Sequence, residues 1–183
     1  MNVQNKAINQ YAEDMPYQLP QVPYMPQEIV TQDVLSEMLK DDDLWVPSSE
    51  NGCVSFKPLL LSVSGGYFIN LLKVKKSGIL SRHRHNGPVH AFVLKGRWHY
   101  LEHDWVAEEN SFAFEPPGEA HTLYVPEDVD EMITLFTVYG GYIYVDPYGK
   151  AEGYEDVFTK LEQARAHYRK LGIPDSELEK IIR

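Results

Sequence analysis

Residues 58 to 145 are cut by turn residues into eight short runs: PLLLSV, YFINLLKV, VHAFVL, RWHYL, SFAFEP, HTLYV, MITLFTVY and YIYV. Each holds four to eight residues rich in β-branched and aromatic side chains. Between them stand Ser64-Gly65-Gly66, Ser77-Gly78, Asn86-Gly87-Pro88, Lys95-Gly96, Glu109-Asn110, Pro116-Pro117-Gly118, Pro126-Glu127-Asp128 and Gly140-Gly141. Short strands separated by Gly, Pro and Asn turns at this spacing predict an all-β sandwich or barrel and exclude a βαβ array. A chain of 183 residues with 43% hydrophobic and 24% charged side chains can bury one core of ordinary size, and two independent cores are not expected.

The flanks read differently. Residues 1–30 form an expected extended arm, with prolines at 16, 20, 23 and 26 and no sustained period. Its apolar residues Tyr17, Leu19, Val22, Tyr24 and Met25 are too few for a core of their own, so the arm is expected to pack on a partner subunit in a homo-oligomer, a dimer or tetramer. The barrel domain is expected over 31–150, opening with a short helix at 31–39 whose N-cap is Thr31 or Asp33. From 151 to 183 a helical extension is expected. Val157, Leu161, Ala164, Tyr168 and Leu171 share one face, Gly172 stops the helix, and a last short helix follows Pro174.

A net charge of −10 without any basic run is a poor match for nucleic acid or an anionic membrane surface, so a small-molecule partner is expected. Cys53 is the only cysteine, and no apolar stretch approaches the ~18 residues of a spanning helix. These features lead us to expect a cytoplasmic protein.

Histidine carries the chemistry. Six of the seven histidines (83, 85, 90, 99, 103 and 121) lie within 39 residues. His83 and His85, two apart, put both imidazoles on one face of a strand, and His121 begins a later strand after the Pro116-Pro117-Gly118 turn. Three imidazoles gathered from separate strands make a metal site, and the lack of a thiolate partner removes the usual structural zinc arrangement. His99, His103 and His167 read as surface or hydrogen-bonded histidines.

Residues 78–96, GILSRHRHNGPVHAFVLKG, and 110–125, NSFAFEPPGEAHTLYV, resemble the two motifs of the cupin superfamily, in order. The fold this implies is a double-stranded β-helix, or jelly-roll barrel. Gly78 stands one residue nearer the first histidine than the pattern has it, Asn110 replaces a glycine and Val125 an asparagine. Where the cupin glutamate ligand would stand, one spacing gives Val89, with Gly96 in place, and the other gives His90 as an additional ligand or supporting residue. We favour Val89, hence three histidines and no carboxylate. The two spacings turn opposite strand faces inward.

Segments 81–125 and 154–173 resemble, within that superfamily, the 2,4'-dihydroxyacetophenone dioxygenases. The resemblance implies an Fe(II) enzyme, one iron per subunit at His83, His85 and His121, that uses O2 to cleave an aryl α-hydroxyketone to an aryl carboxylate and formate. Three neutral ligands leave the metal its full +2 charge, which favours an anionic chelating substrate. Trp45, Trp98, Tyr142 and Tyr144 are candidates for an aryl pocket. Glu102, Glu108, Glu115 and Glu119 read as solvated, and if one is a base the sequence does not choose it. A metal-dependent isomerase and a non-catalytic sensor module are the competing readings.

Overall fold

In a computed structural model, residues 15–23, 26–30, 32–40, 42–49 and 52–183 are described. Tyr24, Met25 and the alternative N-cap Thr31 lie outside them. Eleven strands are present among these residues: β1 (Val46–Pro47), β2 (Val54–Ser62), β3 (Tyr67–Val74), β4 (Gly78–His85), β5 (Val89–Lys95), β6 (His99–Tyr100), β7 (Phe112–Glu115), β8 (Ala120–Val125), β9 (Met132–Tyr139), β10 (Tyr142–Val145) and β11 (Ala151–Glu155). The helices are α1 (Val34–Leu39), α2 (Val157–Lys170) and α3 (Ser176–Glu179).

The strands form two antiparallel sheets, one ordered β1-β2-β3-β9-β5-β7 and the other β11-β10-β4-β8-β6. Alternation along each strand turns Phe68, Leu72, Phe136 and Val138 of the first sheet toward Leu123, His83 and Tyr142 of the second, and all of them line one internal cavity. This is the all-β architecture that the turn spacing predicts, in the jelly-roll form that the motif resemblance implies.

Three strands, β1, β4 and β11, lie outside the apolar runs. In β4 the inward residues His83 and His85 are buried polar side chains, so hydrophobicity does not mark a strand that β8 and β10 hold from both sides. In β11 the sequence AEGYE has little β character. It is paired to β10 by the 146–150 turn, in which Asp146 Oδ1 accepts from the backbone N–H of Tyr148 and Lys150, both at 2.9 Å. The second sheet therefore runs past residue 150. β2 also begins at Val54, ahead of Pro58, because its register shifts between Pro58 and Leu60 and proline is tolerated at such a bulge.

Helix α1 is capped by Asp33, whose side chain accepts from the Ser36 N–H. Helix α2 starts with a capping box. Asp156 accepts from the backbone N–H of Phe158 and Thr159 at 2.9 and 2.8 Å, and the Thr159 hydroxyl accepts in return from the Asp156 N–H. Gly172, at φ 73°, ends it in the left-handed region that a Cβ disfavours. The helix packs on β1, β2 and β11, across the edge where the two sheets part. Its buried stripe is Val157, Lys160, Ala164 and Tyr168; Leu171, assigned to that face from its spacing, is exposed. No helix among the described residues is long and apolar enough to cross a membrane. In the arm, Tyr17, Leu19 and Val22 are exposed.

Candidate metal centre

His83 and His85 on β4 pair across the second sheet with Tyr144 and Tyr142 of β10, and His83 pairs on its other side with His121 of β8. Residues directly opposite in an antiparallel pair share a face, so all three imidazoles point inward. Their ligating nitrogens lie within 4.8 Å of one another, and Nε2 of His83 and His85 are 3.0 Å apart. Two nitrogens bound at ~2.1 Å to one ion can have that separation.

The residues around the cluster hold the rings in place. Tyr100 of β6 stacks on His121 with centroids 3.6 Å apart and planes at 9°. Ser81 Oγ lies 3.0 Å from His83 Nδ1, so a proton on Nδ1 donated to the hydroxyl leaves the Nε2 lone pair facing the cluster. Beside His121, Glu102 accepts from the backbone N–H and the hydroxyl of Thr122, both at 2.7 Å. His103 pairs with Glu119 at 2.7 Å, and both stand near His121 at the barrel wall.

A carboxylate is present after all, from a position expected to be solvated. Glu115, at the end of β7, is 2% exposed, with Oε2 3.0 Å from His85 Nε2 and 3.6 Å from His121 Nε2. It reaches the cluster because Val89, where cupins place glutamate, is its direct partner across the β5–β7 ladder. Val89 is fully buried and faces inward. The expectation that Glu115 is solvated is corrected.

His90 is not brought to the cluster. One step along β5 turns it to the outer face, where its ring meets Phe112, Phe114 and Tyr139. Of the aromatic candidates, Tyr142 and Tyr144 line the cavity and Trp45 and Trp98 do not. Trp45 packs with Leu71 and Ile133, whose strand positions alternate with the cavity-lining ones, and Trp98 is fully buried with Nε1 donating to Thr134 Oγ1 at 3.0 Å.

The residues present fit a divalent metal. His85 Nδ1, His121 Nδ1 and Nε2, and both Glu115 oxygens are buried with no hydrogen-bonding partner among the described residues, a concentration of unmet polar atoms that proteins ordinarily avoid. Burial, reinforced by His85 and His121, pushes His83 well below its usual pKa. Burial and then His85 lower His121 to about 3. Both imidazoles are therefore neutral at physiological pH and offer lone pairs. All-nitrogen ligation suits iron, zinc, copper or nickel.

The same shifts predict acid sensitivity. Below pH ~6.5 the unfolded chain takes up protons that His83 and His121 of the folded metal-free protein refuse, so stability falls with pH, by about 1.4 kcal/mol per unit for each of these two. For His121 the loss continues toward pH 3. Urea unfolding of the metal-free protein at pH 7 and pH 5 measures it; equal stability at the two values would contradict the assignment.

The cavity beneath the cluster measures about 440 Å³ and is walled by Phe56, Phe68, Leu72, Phe136 and Val138. Such a space takes a small ligand with an apolar body.

Comparison with known proteins agrees with this geometry. No curated relative matches the chain. An RmlC-like cupin protein from Ralstonia eutropha JMP134 is similar at 27% identity and a TM-score of 0.68, over 76% of this chain and 94% of that one. An acetylacetone dioxygenase from Acinetobacter johnsonii shares the fold at 20% identity and a TM-score of 0.65, over 84% of this chain and 99% of that one. The family model described as the ChrR cupin-like domain matches residues 35–142, a span that holds the three histidines and Glu115. With more than half its length matched, and the barrel and histidine cluster in the places that the two motifs imply, this chain belongs to the ChrR cupin-like family.

Proposed function

We propose that the protein is a non-haem Fe(II) dioxygenase that cleaves the bond between the carbonyl and hydroxymethyl carbons of an aryl α-hydroxyketone. The proposed reaction converts 2,4'-dihydroxyacetophenone and O2 to 4-hydroxybenzoate and formate. The observation that carries the reading is the buried three-histidine cluster with a buried carboxylate 3.0 Å from His85, on the wall of a cavity of small-aryl size. The sequence resemblance supplies the substrate, and the Acinetobacter neighbour is itself named as a dioxygenase of a small ketone.

His83, His85 and His121 would hold the iron. When bound, Fe(II) supplies the electron chemistry that O2 requires and a +2 charge that favours an anionic substrate with two adjacent oxygens. The protein's part is positional and protonic. Glu115 Oε2 takes a proton from the hydroxymethyl group and leaves an enediolate beside the imidazoles. Burial and the nearby Glu115 charge hold the Tyr100 hydroxyl protonated, and its ring fixes His121. The apolar walls exclude water from the anion.

Oxygen-electrode assay of iron-loaded protein tests the reading. Consumption of one O2 per formate is expected with 2,4'-dihydroxyacetophenone, and none with 4'-hydroxyacetophenone, which lacks the second oxygen. One atom of labelled O2 should appear in each product. Turnover without O2 uptake would instead identify an isomerase, and label confined to water would reject the cleavage.

A further inference from the structure

The cavity that the histidines line also holds a charged pair. Lys160 of α2 and Glu155 of β11 both line it, 2.9 Å apart from Nζ to Oε2, and their side chains are 6% and 11% exposed. Charges this well buried are costly unless they are paired and further hydrogen-bonded. Glu155 is held from one side by the helix, where the Gln163 amide donates to Oε1 at 3.1 Å and the Thr159 hydroxyl lies 3.3 Å from Oε2. Lys160 Nζ also stands 4.2 Å from the centre of the Phe56 ring, on the cavity wall. Among the described residues Glu155 is its only carboxylate, and an ammonium carries three donors.

Register places this pair relative to the metal end. His85 pairs with Tyr142, and Tyr142 pairs with Glu155, so the three lie in one line across β4, β10 and β11 with their side chains on one face. Two interstrand spacings of ~4.8 Å separate the histidine from the carboxylate. A benzene ring with a polar substituent at each end matches that length and would lie against the Tyr142 side chain, which shares the face and has its ring 5.7 Å from that of His85.

The geometry points to the Lys160–Glu155 pair as the recognition site for a neutral hydroxyl on the far end of the substrate's ring, para to the group at the metal. This rests on the aryl-hydroxyketone reading and specifies its remote end. A phenol meets both partners at once, accepting from the ammonium and donating to the carboxylate. A ring carboxylate would meet Glu155 as a like charge, and an unsubstituted ring would leave the ammonium donors unmet. Hydrogen bonds to charged groups give this choice about 10- to 100-fold discrimination.

Two variants of the full-length protein test it. With metal-free protein, 4'-hydroxyacetophenone should bind at least 10-fold more tightly than acetophenone, and Lys160→Met should bring the two within 2-fold. In the iron-loaded enzyme the same change should lower kcat/KM for 2,4'-dihydroxyacetophenone at least 10-fold relative to that for 2-hydroxyacetophenone, and leave iron content unaltered. Glu155→Gln removes the like charge, so binding of 4-acetylbenzoate should strengthen at least 10-fold. The binding arm needs no turnover, so it reads the pair even if no hydroxyketone supports O2 uptake. Loss of thermal stability in Lys160→Met with the phenol preference intact, or no gain of carboxylate binding in Glu155→Gln, would make the pair a helix anchor and overturn the assignment.

Discussion

Replacing any one of His83, His85 and His121 by alanine will weaken metal binding by more than ~100-fold, beyond the 10- to 100-fold that loss of an outer supporting residue costs. Each of the three is buried and held in place by the β4–β8 ladder, so its loss leaves a gap in the imidazole set. Metal analysis of protein purified without added metal, followed by titration with Fe(II) under argon, measures the loss. His90→Ala will keep its iron, since that ring lies among Phe112, Phe114 and Tyr139 on the outer face. Stoichiometric iron in all three variants of the cluster would show that the site lies elsewhere.

Glu115→Gln will separate metal binding from turnover. The amide keeps the shape of the side chain and removes its capacity to take a proton, so kcat should fall by about 10²- to 10⁴-fold while iron content stays within 2-fold of wild type. Exchange of the substrate's hydroxymethyl hydrogens with solvent deuterium, followed without O2, should be lost in parallel. The metal-free variant should also melt at a higher temperature, because Glu115 is 2% exposed and neither of its oxygens has a hydrogen-bonding partner among the described residues. Loss of iron along with activity would make Glu115 a ligand, and unimpaired exchange would move the base to another residue.

What could be read from the chain follows from how local each signal is. His83 and His85 declare a shared face by being two residues apart, and the Pro116-Pro117-Gly118 turn marks the strand that carries His121. Glu115 gave no comparable sign, and its surroundings mislead. In SFAFEP, hydrophobicity would turn Phe112 and Phe114 inward, whereas both are exposed and the inward residues are Ala113 and Glu115. The deciding fact is the Val89–Glu115 pairing, a contact across 26 positions of sequence that no local period encodes. Lys160 left a faint trace, since 157, 160, 164 and 168 are spaced as one helical stripe with a lysine among apolar residues. A lysine is solvated by default, so spacing alone runs the apolar stripe through Leu161 and Leu171 instead. Asn110 shows the opposite case: standing where the motif has glycine, it adopts φ 70°, a conformation asparagine accepts more readily than most residues.

The β11–α2 hairpin that closes one edge of the barrel divides the labour of the cavity along the chain. Every proposed metal-holding residue and the proposed base fall between 83 and 121, whereas Glu155 and Lys160 lie beyond residue 142, where the family match stops. On the proposed assignments, the reactive groups and the pair that recognises the ring would therefore lie in separate stretches of the chain. Substitutions in the second stretch would then change which ring is admitted without touching the proposed metal centre.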